Sequence, residues 1–171
     1  MKRSFFIIFA LLFPLLLLAQ DQDSTISNIG DYRSEKLKKL KPKKKVKIAK
    51  KLEKKGSYLN ALVYLEEAYE AKPDNHKALA KLAQLNYLTR DYKKAEKWYN
   101  TLLQEHEGDY PESRYYYAQC LKRNKKYDKA IEAFEEFKGQ YTGEQSELKD
   151  YSDVEIEGCK LAKQLMAAPV R

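Results

Sequence analysis

Glycine and proline are scarce in this chain, six and five in 171 residues. That scarcity excludes a collagen-like or low-complexity chain, and with 34% charged and 43% hydrophobic residues it reads as helical and soluble. No Gly-rich phosphate loop and no Gly-x-Ser-x-Gly nucleophile motif occurs. Histidine appears twice, as His76 and as His106 within a Glu-His-Glu run. A metal centre needs three or four converging ligands, and Glu105 and Glu107, being adjacent on a helix, do not face His106. No metal, no cofactor and no catalytic residue is therefore expected, and the chain is not read as an enzyme.

No apolar run is long enough for a spanning helix of roughly 20 residues. The one present, Ser4 to Leu18, spans roughly 15, is interrupted by Pro14, follows Lys2 and Arg3, and ends at Ala19 before Asp21 and Asp23. This is the pattern of a secretory signal peptide over residues 1–19, an uncleaved anchor being the alternative. No cysteine follows the run, so a lipoprotein anchor is not expected. Export brings the two cysteines, Cys120 and Cys159, into an oxidising compartment, where a disulfide between them is one reading and two small buried helical side chains the other.

The formal charge is +8, and much of the excess sits between Arg33 and Lys55, where thirteen basic residues meet two acidic ones. On an exported chain that run points away from nucleic acid and towards an anionic lipid, a cell-wall polymer or an acidic protein face. A solvated helix surface is the plainer reading. Residues 20–41 are expected to form a basic, flexible linker.

Beyond residue 41 the text repeats. Ala49, Ala83 and Ala118 are 34 and 35 residues apart, and so are Ala61, Ala95 and Ala130. Leu65, Tyr99 and Phe134 recur in the same register, as do Tyr58, Tyr92 and Tyr127. Apolar residues within each segment follow helical spacing, as in Leu79, Leu82 and Ala83. Pro42 and Pro111 suit helix starts, and Gly56, Asn124 and Gly143 suit stops.

This period resembles the tetratricopeptide repeat, a helix-turn-helix unit of about 34 residues. The resemblance implies an all-α solenoid of three repeats, 42–75, 76–110 and 111–144, closed by a capping helix over 145–168. The cap is expected to bury Tyr151, Val154, Cys159, Ala162, Leu165 and Met166. Lys45 and Arg114 depart from the apolar residue the family places there, and Asn86 from its aromatic or leucine.

The family lines a concave groove with the first helix of each repeat. Carried over, the rows are Val46, Lys50, Glu53 and Lys54; Ala80, Gln84, Tyr87 and Leu88; Tyr115, Gln119, Lys122 and Arg123. Tyr87, Leu88 and Tyr115 are the candidate anchors, packing between repeats being the alternative for the tyrosines. Lys50, Lys54, Lys122 and Arg123 would steer an acidic ligand. The expected partner is a protein or peptide, with an anionic envelope surface as a second candidate and no small-molecule substrate.

The segment "SRYYYAQCLKRNKKYDKAIEAFEEF" followed by "DVEIEGCKLAKQLM" is similar to the N-terminal repeat region of OmpA-family envelope proteins of Bacteroidetes. In those, a signal peptide precedes the repeats, a β-propeller and a peptidoglycan-binding domain, and some members serve type IX secretion and gliding. The resemblance implies a periplasmic protein associated with the outer membrane. A propeller would be expected to begin near "AAPVR", so the chain reads as a fragment or a short relative.

Overall fold

The computed structural model describes residues 35, 37–144 and 146–167. The expected signal peptide and most of the expected linker lie outside the described residues. Contacts divide the chain into Met1–Leu40 and Lys41–Arg171. All elements named below lie in the second unit.

That unit is a run of helices, with no strand among the described residues: α1 Pro42–Lys54, α2 Tyr58–Glu70, α3 His76–Leu88, α4 Tyr92–His106, a short 3-10 turn Glu107–Asp109, α5 Ser113–Arg123, α6 Tyr127–Gln140 and α7 Glu147–Ala167. Each helix packs mainly on its neighbours in sequence. The architecture is an all-α helical-repeat solenoid.

Local chemistry explains the breaks. Pro42 occupies the first turn of α1, where its missing N–H costs nothing. Asn75 caps α3, its side chain accepting a hydrogen bond from the Ala78 N–H at 3.2 Å. The turn inside each pair is built the same way three times. Gly56, Arg90 and Lys125 take φ of 72°, 64° and 62°. The next residue then donates its N–H back into the helix at 2.9 Å: Ser57 to Leu52, Asp91 to Asn86 and Lys126 to Leu121. This is the left-handed helix stop that satisfies the last carbonyls. Only the first copy uses glycine for it.

The recurring alanines sit at the helix crossings. Ala49 is 1% exposed, and Ala61, Ala83, Ala95, Ala118 and Ala130 are fully buried. A larger side chain there would force the paired backbones apart. Leu65, Tyr99 and Phe134 pack beside them.

The polar departures are accommodated by pairing. The buried Lys45 ammonium lies 3.1 Å from a Glu67 carboxylate oxygen and 3.3 Å from the Glu67 carbonyl. Arg114 pairs with Glu136 at the same place in the third repeat. Asn86 is buried, and its amide donates to the Leu82 carbonyl at 2.8 Å.

One expectation is corrected. The cap buries Cys159 as expected but otherwise turns a different face inward: Leu148, Ser152 and Ile156 are buried, while Tyr151, Val154, Leu165 and Met166 are exposed. Apolar residues occur on both sides of α7, so periodicity alone does not choose between them. Of the two readings of the cysteines, the structure shows the second: Cys120 and Cys159 are free buried thiols. Cys120 belongs to a core with Leu79 and Tyr99, Cys159 to another with Phe134 and Ile156.

Candidate functional site: an aromatic cleft across the repeats

The first helices of the repeats enclose an open cleft of about 600 Å³. From α1 come Val46, Ala49, Lys50 and Glu53; from α3, Lys77, Ala80, Lys81, Gln84, Tyr87 and Leu88; from the end of the second repeat, Tyr110, and from the start of the third, Glu112, Ser113 and Tyr116. Leu65, Tyr99 and Leu102 reach it from the second helices.

Its floor is aromatic. The Tyr87 ring meets Tyr116 edge-on at 5.3 Å, and Tyr116 stacks on Tyr99 at 5.9 Å with 16° between planes. Burial pushes the Tyr87 hydroxyl up to about 12 and raises that of Tyr99 as well. Both stay protonated in ordinary buffers and remain donors. Leu88, 51% exposed, adds an apolar side chain to the lining.

Charge sits on the rim. Lys81 donates to Glu53 at 2.7 Å and to the Gln84 side-chain oxygen at 2.9 Å, bridging the first two repeats. Lys50 and Lys77 are exposed, and neither pairs with a carboxylate of a described residue.

Of the residues expected to line the groove, Lys50, Gln84, Tyr87 and Leu88 do so, with Val46, Glu53 and Ala80 beside them. Lys54 is exposed but lies off the lining. The third-repeat row does not reach the cleft. Tyr115 is 8% exposed against Phe134 and Phe137, and the buried Gln119 donates to its hydroxyl at 3.1 Å. Lys122 donates to Glu155 of α7 at 2.6 Å, and Arg123 lies 5.9 Å from the Tyr92 ring.

The reason is directional. A first helix has one edge facing the preceding repeat and another facing the following one. Val46, Lys50 and Glu53 lie on the forward edge, and so do Tyr115, Gln119 and Lys122 at the same register. After the third repeat the forward neighbour is the cap, so α7 covers that row. The backward edge enters the cleft instead, through Glu112, Ser113 and Tyr116. Sequence reading missed Tyr116, Tyr110 and Lys81. The Tyr115–Tyr117 run offered a signal, since an aromatic triplet on a helix presents to more than one side.

The histidines also depart from expectation. His76 opens α3 and His106 ends α4, yet their rings lie 4.9 Å apart. Asp109 joins them, so that three ligand-bearing atoms fall within 4.8 Å of one another. Spacing along the chain concealed this, because the partner of His106 lies at the opposite end of its own repeat.

Geometry of this kind defines a class: a helical-repeat solenoid of the tetratricopeptide type, with a concave cleft and a closing helix. The comparisons agree in fold. A family model described as "Anaphase-promoting complex, cyclosome, subunit 3" matches residues 54–137. Among solved structures, the chain is similar to the second TPR domain of the human RPAP3 protein, solved by NMR in complex with the HSP70 peptide SGPTIEEVD. The identity is 18% and the TM-score 0.56, over 70% of this chain and 98% of that one. Among curated proteins, none matches.

Proposed function

We propose that this protein is a non-enzymatic scaffold that holds a peptide segment of a partner protein in the aromatic cleft. The observation that carries the reading is the floor of Tyr87, Tyr99 and Tyr116 beside the exposed Leu88. Rigid aromatics in a concave site bind with little entropy loss and dominate hot spots. Lys50 and Lys77 on the rim favour acidic residues flanking an apolar anchor. The peptide held by the RPAP3 domain supports the mode of binding.

The apolar leader over 1–19 and the resemblance to Bacteroidetes envelope proteins support a place in the periplasm, beside the outer membrane, in an assembly of the type IX secretion kind. A pull-down from envelope extract tests both parts. Immobilised wild type should retain envelope proteins that Leu88→Glu and Tyr87→Ala lose. Identical partners at identical yield from all three would sink the cleft.

A second reading concerns α1. Lys43, Lys47, Lys51 and Lys54 are exposed at helical spacing, and none pairs with a carboxylate of a described residue. Such a stripe suits an anionic lipid or cell-wall polymer. Binding to anionic vesicles should then weaken steeply between low and physiological salt.

A further inference from the structure

The chain's two histidines converge with an aspartate where the two ends of the second repeat meet. We propose that His76, His106 and Asp109 form a site for a divalent first-row metal ion, zinc being the best match. His76 Nδ1 and His106 Nδ1 each lie 3.8 Å from Asp109 Oδ2. Zinc holds nitrogen and carboxylate oxygen at about 2.0–2.2 Å, which sets tetrahedral ligands about 3.4 Å apart. The observed spacing is a few tenths of an ångström wider between each histidine and the aspartate, and the three ligand atoms fall within 4.8 Å of one another, so the widest pair must close by up to about 1.4 Å. Side-chain rotations supply that movement, and these side chains have room: His76, His106 and Asp109 are 35%, 27% and 62% exposed.

The donor set is of the right kind. Two imidazoles and one carboxylate suit zinc and leave a fourth position open for water or a partner's group. Glu105 Oε2 lies 4.0 Å from His106 Nε2, the nitrogen turned away from Asp109.

The site also reaches the cleft. Tyr110 Oη and His76 Nδ1 share a hydrogen bond at 3.2 Å, and Tyr110 lines the cleft. A metal on that nitrogen takes its lone pair and frees the Tyr110 hydroxyl to meet a bound peptide. The ion would thus clasp the two ends of the second repeat and alter one wall of the groove.

The test is titration of tag-free protein with zinc chloride by calorimetry, and with cobalt(II) by visible absorption. One ion should bind per chain, and His76→Ala, His106→Ala and Asp109→Asn should each weaken binding tenfold or more. Circular dichroism on each variant verifies the fold. In an amide NMR spectrum of wild type, zinc should shift residues 76, 106, 109 and 110. The proposal is overturned by no saturable binding below about millimolar free zinc. It is overturned equally by affinity that survives any one of the three substitutions.

Discussion

Lys45, only 2% exposed, is held by Glu67 of the adjoining helix, and Arg114 with Glu136 repeats the arrangement two units away. Between them, the second repeat places Leu79 and Thr101 at the same two positions. One structural slot thus accepts either an ion pair or an apolar residue beside a hydroxyl. A buried pair is weak support for stability, because desolvation consumes much of the Coulombic gain.

The slot makes a sharp prediction. Glu67→Thr alone strands the buried ammonium on a backbone carbonyl and should cost about 2–3 kcal/mol. Lys45→Leu combined with Glu67→Thr, copying the second repeat, should be neutral or stabilising. Urea denaturation followed by the fluorescence of the single tryptophan, Trp98, reads both. A double variant no better than the single one would show that the pair does more than fill space.

The three left-handed turn positions predict a gain. Arg90 and Lys125 adopt a backbone that costs an ordinary residue about 1–2 kcal/mol, while glycine's greater freedom when unfolded returns about 0.5–1 kcal/mol. Arg90→Gly and Lys125→Gly should each stabilise by about 0.5–1 kcal/mol, raising Tm by a few degrees. Gly56→Ala should do the reverse, although a Cβ there meets open space. Calorimetry on the three variants tests the sign.

The thiols should be silent. Burial pushes Cys120 up to about 12 and raises Cys159 as well. At pH 8 neither offers a thiolate, and neither is reachable. A thiol reagent should label no cysteine in the folded protein and both after unfolding. One disulfide-linked species among native molecules purified without reductant would contradict the structure.

Much of this fold is legible because its devices repeat. Alanines at crossings recur at a fixed period, and a backbone contact tolerates nothing larger, so their positions announce the helix pairs. The cleft is legible in part for the same reason: Lys50, Gln84, Tyr87 and Leu88 follow from register. Register cannot say which edge of a helix is covered, and so it misplaces Tyr115 and Gln119, which the cap buries. Nor does it choose the inward face of α7, where Val154 and Ile156 are equally apolar and only the neighbour decides. The meeting of His76 with His106 is a closure between the two ends of one repeat, invisible to any local spacing.

The cap itself should be acid-sensitive. Burial alone would raise the Glu155 carboxyl, but hydrogen bonds from Lys122 and Gln119 outweigh it and hold the group below its ordinary value of 4.5. A carboxyl depressed in the folded state binds fewer protons there than when unfolded. Its stabilising contribution is therefore fully present above the ordinary value and disappears as pH falls through the folded one. Glu155→Gln should lower Tm at pH 7 and converge with wild type in strong acid. Lys122→Met should show the same convergence, since it removes the principal donor. Thermal melts of the three proteins between pH 7 and pH 2 measure this directly. A constant gap between wild type and Glu155→Gln across that range would mean that packing of the side chain, not its charge, fastens α7 to α5.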